Sequence, residues 1–133
     1  MTTKSDMLTK LKKQKCLDNS DLLEDKKKMA SIWFASLRDE ICKCFEEIEN
    51  SQLNKNTNIK FVQKKWERDG GGGGVISIMK GNVFEKVGVN ISTVYGKFSK
   101  EFREQIPGAE ENGNFWASGI SVVSHMSNPY IPA

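Results

Sequence analysis

Trp66-Glu-Arg-Asp-Gly-Gly-Gly-Gly-Gly74-Val-Ile-Ser-Ile-Met79 sets five consecutive glycines between a charged aromatic segment and an apolar, β-branched one. Glycine loses more backbone freedom on folding than any other residue, so such a run inside a domain implies close approach of the backbone to something. A flexible linker is the competing reading, but linkers mix glycine with serine between polar flanks. The run is not a phosphate loop. A Walker loop ends in Gly-Lys-Ser/Thr and opens a helix, and a dinucleotide fingerprint lies between a strand and a helix. Here Gly74 leads into Val75-Ile76-Ser77, which reads as a strand, and no helix follows. Phe61 to Arg68, before the glycines, reads as a short strand at best.

Downstream the texture stays β-rich. Lys80-Gly81-Asn82 has turn chemistry, so Val75 to Met79 and Val83 to Val87 form a predicted hairpin. Gly88-Val89-Asn90 suggests a bulge, with a third strand over Ile91 to Tyr95. Ser99 to Ile106 reads as a short helix capped by Ser99 and ended by Pro107-Gly108. A polar loop from Glu110 to Asn114 precedes a strand over Phe115 to Ser124, and the proline-containing tail from Asn128 to Ala133 is expected to be extended.

Upstream, Met29, Ile32, Trp33, Leu37, Ile41, Cys44, Phe45 and Ile48 recur at spacings of three and four, with Arg38, Asp39, Lys43, Glu46, Glu47 and Glu49 between them. That pattern predicts an amphipathic helix burying its apolar stripe. Asn50 to Asn58 reads as the loop that ends it. The expected fold class is therefore α+β, an antiparallel sheet flanked by helices.

The 133 residues match one ordinary domain, and the apolar (38%) and charged (28%) fractions match a globular protein. No apolar run approaches the ~20 residues of a membrane span, and a cytoplasmic protein is expected. The net charge of +3 resides in residues 1–28, which carry eight lysines against five acids. These lysines suit nucleic acid or a membrane surface, or simply a solvated, disordered leader. No aromatic residue is interleaved with them, which argues against nucleic acid. Cys16, Cys42 and Cys44 lack metal-ligand spacing and read as reduced thiols.

Four segments, in order, resemble the oxygen-dependent coproporphyrinogen III oxidases. They are Trp66-Glu-Arg-Asp-Gly-Gly-Gly-Gly, Gly81-Asn-Val-Phe-Glu-Lys-Val-Gly-Val-Asn90, Phe115-Trp-Ala-Ser-Gly-Ile-Ser121 and His125-Met-Ser-Asn-Pro-Tyr-Ile-Pro132. The resemblance covers residues 29–133 and leaves the leader outside. It implies oxidative decarboxylation of two propionates of coproporphyrinogen III to vinyl groups, yielding protoporphyrinogen IX in haem biosynthesis. Molecular oxygen is the implied oxidant, no organic cofactor is used, and a divalent metal and a homodimer are implied as well.

Carried over position by position, Ser121 matches a serine that contacts substrate, and His125 matches the first histidine of the proposed metal set. Ser121, Val123 and His125 also share strand parity, hence one face. Arg68 is a further candidate, either pairing with a substrate carboxylate or bracing the glycine loop. The family's His-x-Asn-x-Arg segment, which carries its proposed proton donor and a carboxylate-binding arginine, does not occur after Ile131-Pro132. The later histidines and the dimer-forming region are likewise not in this sequence. No catalytic residue is therefore assigned within the chain. The expectation is a truncated piece, inactive alone; the alternative is a non-catalytic tetrapyrrole-binding or interaction remnant.

Overall fold

The computed structural model describes residues 19–51 and 58–131. It contains helix α1 (Asn19–Ser51), strands β1 (Val62–Glu67), β2 (Gly72–Met79) and β3 (Phe84–Lys97), a short helix α2 (Lys100–Arg103), and strand β4 (Asn114–Met126). The strands form one antiparallel sheet in the order β1-β2-β3-β4, each pairing with its chain neighbour. The expected α+β class is correct. Two compact units are present, one ending at Ala30 and the other spanning Ser31–Ala133. The described part of the first, residues 19–30, is helical and carries a Lys27–Glu24 ion pair. Helix thus already occupies residues 19–28 of the expected disordered leader; the rest of the leader, Cys16 included, lies outside the described residues.

The glycine run is used as backbone that comes close to backbone. Gly70 and Gly71 make the turn, and Gly72 to Gly74 are the first residues of β2. Gly72 has φ of +87°, a conformation that favours glycine. A Cβ on Gly72 would collide with the Thr93 carbonyl oxygen, one on Gly73 with that of Trp66, and one on Gly74 with that of Ile91. The partners in close approach are therefore the neighbouring strands of the same sheet.

Residues 31–51 of α1 cover one sheet face, although the inward-facing residues differ from the predicted stripe. The core is Cys42, Met79, Phe84, Val87 and Val89, with Ile41, Phe45 and Ile120 packed around it and Phe45 set edge-on to Phe84. Burying each such side chain contributes roughly 1.5–3 kcal/mol. Ile32, Trp33, Cys44 and Ile48 are exposed, whereas Glu49 is completely buried. The reason is a joint between α1 and the β2–β3 turn. The Glu49 carboxylate accepts hydrogen bonds from the backbone N–H groups of Asn82 (2.6 Å), Val83 (3.2 Å) and Phe84 (3.0 Å). Gly81 leaves room for it, since a Cβ there would strike that carboxylate. Glu46 does similar work, accepting from the Phe61 N–H at 2.8 Å and from the Lys60 ammonium at 2.7 Å. Asn50 closes the helix end by exchanging hydrogen bonds with both backbone groups of Ile59. Three polar side chains thus turn the helix away from the simple apolar stripe.

Three further expectations need correction. The second and third predicted strands are one, because Gly88 keeps its place in the ladder between Ile78 and Val123; the irregularity lies at Phe84/Lys86 instead. The short helix is only Lys100–Arg103, capped by Ser99 as expected; beyond it the chain continues in turns, with the Arg103 guanidinium holding the Ala109 and Glu110 carbonyls. The tail is not extended through Ile131. Asn128 accepts from the Tyr130 N–H through its side chain and from the Ile131 N–H through its carbonyl, the turn chemistry of asparagine.

Candidate functional site

Strand alternation sends Val87, Val89, Ile91 and Thr93 toward α1 and Lys86, Gly88, Asn90 and Ser92 to the opposite face. Register then fixes their neighbours on that opposite face. Asn90 lies between Ile76 on β2 and Ser121 on β4, and Ser92 between Gly74 and Gly119. Trp66 is paired with Gly74, and its indole nitrogen lies only 2.9 Å from where a Gly74 Cβ would stand, so the bare glycine makes room for the ring. Together Trp66, Ile76, Asn90, Ser92, Gly119 and Ser121 line a shallow, open hollow of about 420 Å³. No charged side chain lines it. Lys64, paired with Ile76, and Lys86, paired with His125, are exposed and share its face by alternation. The arrangement is an apolar floor with hydroxyl and amide groups set into it and cations toward its edges.

The three sequence candidates are not brought together. Ser121 lines the hollow. His125 is exposed on the same face four residues on, about 13 Å along β4. Arg68 lies at the far end. Its guanidinium donates to the Tyr95 carbonyl at 3.1 Å, sits 5.5 Å from the Phe115 ring centre and packs against Gly70. Tyr95 is level with Trp116, which is five residues, about 17 Å, from Ser121. Of the two roles weighed for Arg68, bracing the glycine turn is the one its contacts serve. Among the described residues no three His, Cys, Asp or Glu side chains are grouped to hold a metal ion, and the cross-strand partner of His125 is a lysine. This face alone does not fit a divalent cation, because one imidazole does not complete a ligand set.

Trp66, Ile76 and Asn90 were not recognised from the sequence as site residues. The signal was present for Asn90, a polar residue of opposite parity to Val87 and Val89 in a β-branched run. Linking it to Ser121 required the β3–β4 register. On the covered face, desolvation raises the Cys42 thiol to about 11, so it stays a protonated thiol. Burial also pushes the Glu49 carboxyl up, but the hydrogen bonds from Phe84, Asn82 and Val83 outweigh it and hold the group below its ordinary value.

A sheet closed by a helix on one side and bearing an uncharged hollow on the other defines a small α+β scaffold. Comparison with known proteins makes the class specific: the sequence profile described as Coproporphyrinogen III oxidase matches residues 28–133, and the chain belongs to that family. A relative in Rickettsia felis, named oxygen-dependent coproporphyrinogen-III oxidase, is 58% identical over 111 residues, covering 82% of this chain and 40% of that protein. Relatives of the same name in Rickettsia bellii (58% identical over 110 residues, covering 80% of this chain and 39% of that protein) and Rickettsia akari (57% over 111 residues, covering 82% and 40%) agree. The chain thus spans about two fifths of the length of the curated relatives it matches. No helix among the described residues is long and apolar enough to cross a membrane.

Proposed function

We propose that this chain is part of an oxygen-dependent coproporphyrinogen III oxidase and supplies one wall of its substrate site. The reaction converts two propionate side chains to vinyl groups, giving protoporphyrinogen IX. Each propionate loses carbon dioxide, a proton and two electrons, and molecular oxygen takes the electrons. The carrying observation is the uncharged hollow containing Ser121, on a chain 58% identical to enzymes of that name. Its floor suits the weakly polar ring of a tetrapyrrole, Ser121 offers a hydroxyl to a polar substituent, and His125 extends the same face. Lys64 and Lys86 supply charge for carboxylates at its edges. The same reading carries a cytoplasmic, homodimeric full-length enzyme.

The second reading, binding without turnover, is favoured by the chain's own inventory. It holds a single histidine and spans about two fifths of its relatives' length. Positioned acid–base groups commonly contribute ~10²–10⁴-fold to such a reaction, and no proton donor is assigned in this chain. One experiment separates the two. The purified chain is mixed with coproporphyrinogen III without oxygen, binding is measured, and oxygen is then admitted with product detection. Binding without product above spontaneous oxidation is expected. Vinyl product lost in His125→Ala would establish a complete site in this chain, and no binding at all would remove the wall from the reading.

A further inference from the structure

Asn90 stands out within the hollow. Its side-chain oxygen is buried and has no hydrogen-bond partner. Two other buried oxygens share that condition among the described residues, those of Ser77 and Ser124, and both residues alternate onto the face opposite the hollow. Asn90 alone of the three lines the hollow, directly across the β3–β4 ladder from Ser121. An unsatisfied buried amide oxygen is destabilising, and a donor arriving from a ligand in the hollow would relieve that cost. Rotation about the Cβ–Cγ bond, a soft torsion in asparagine, would swing the oxygen between the sheet and the hollow.

We infer that Asn90 is a substrate-recognition residue whose side-chain oxygen accepts a hydrogen bond from a pyrrole N–H of a tetrapyrrole seated in the hollow. The lining decides which part of the ligand lies here. A carboxylate placed over Trp66, Ile76 and the bare backbone of Gly119 would lose its water with no cation beside it, which is costly. The neutral ring centre, with N–H groups that need an acceptor, meets no such penalty. The carboxylates then extend outward, where Lys64 and Lys86 stand on the same face. Recognition of the ring by Asn90 rests on the proposed function above and adds to it which atom reads the macrocycle.

The test uses the whole chain and coproporphyrinogen III without oxygen, with quenching of tryptophan fluorescence as the readout, since Trp66 lies in the hollow. Asn90→Leu keeps the size and removes the acceptor; about a tenfold rise in Kd is expected. Asn90→Thr keeps a neutral oxygen acceptor and loses the amide donors, and its Kd should stay within about threefold of the parent. Circular dichroism and melting confirm each fold, and Asn90→Ala replaces the leucine variant if that one does not fold. Parent-like affinity in the folded apolar variant overturns the role of Asn90 while leaving the proposed function standing. Equal weakening in Asn90→Thr and Asn90→Leu overturns the acceptor assignment. Absence of binding by the folded parent chain removes the proposed function and this inference together.

Discussion

The two faces of the sheet are built on opposite terms. Toward α1, Val87, Val89 and Met79 are sealed, the Thr93 and Ser118 hydroxyls lie 2.8 Å apart, and Glu49 satisfies a whole turn. On the other face, Ile76 and Val123 are exposed, and Asn90 keeps an unsatisfied oxygen. The same four strands supply both faces, so the contrast comes from alternation along each strand rather than from separate segments. Burial is concentrated on the covered face, and the recognition proposed above falls to the bare one.

The largest expected effect tests the seal. Glu49→Ala would leave three backbone N–H groups without their acceptor, the buried one of Phe84 and the part-buried ones of Asn82 and Val83, an unsatisfied buried group costing about 1–3 kcal/mol. A loss of roughly 3 kcal/mol in urea unfolding is expected, and a change below about 1 kcal/mol would show the joint to be dispensable. The same carboxylate sets a pH dependence. Its folded value lies below its unfolded one, ~4.3 for a free Glu, so its contribution is present above that unfolded value. The contribution is lost as pH falls through the folded value. Glu49→Gln should flatten this part of the stability–pH curve, measured by melting between neutral and acid pH.

Gly74→Ala tests the contrast from the other side, since Gly74 sits on the bare face. The new methyl would meet the Ile91 carbonyl and the Trp66 indole, and a loss of about 3 kcal/mol is expected from the melt. If this variant melts like the parent, the sheet has slack at the glycine run. Val89→Ala, on the covered face, should lose about 1–2 kcal/mol in the same measurement. The smallest effect belongs to Val123→Ser, 55% exposed, which should change stability by no more than about 0.5 kcal/mol. A large loss there would mean the bare face is packed in solution, which sedimentation would report as association.

Much of the sheet was readable from local chemistry. The Lys80-Gly81-Asn82 turn, the β-branched runs and the Ser99 cap each announce themselves within a few residues. The helix face was misread because periodicity counts apolar residues. It cannot register that Glu46, Glu49 and Asn50 find backbone partners as far as 35 residues away. The predicted bulge at Gly88 failed for a related reason, as a glycine looks like a break until its partners across both ladders are known. Ser121 and His125 are candidates through the family resemblance alone, and strand parity correctly put them on one face. Asn90 was quoted within a motif yet unassigned, because its meaning lies in standing opposite Ser121.

The strand order β1-β2-β3-β4 also has a consequence in time. Each strand pairs only with the one made just before or after it, so the sheet can zip hairpin by hairpin as the chain emerges, without waiting for distant sequence. Contacts from α1 to the sheet run on a longer scale: Glu49 is made early on α1, and its partners Asn82 to Phe84 arrive more than thirty residues later. That joint, with the core around Phe84, is what ties the helix to the β2–β3 hairpin, so the helix can lock onto the sheet only after the hairpin has been made.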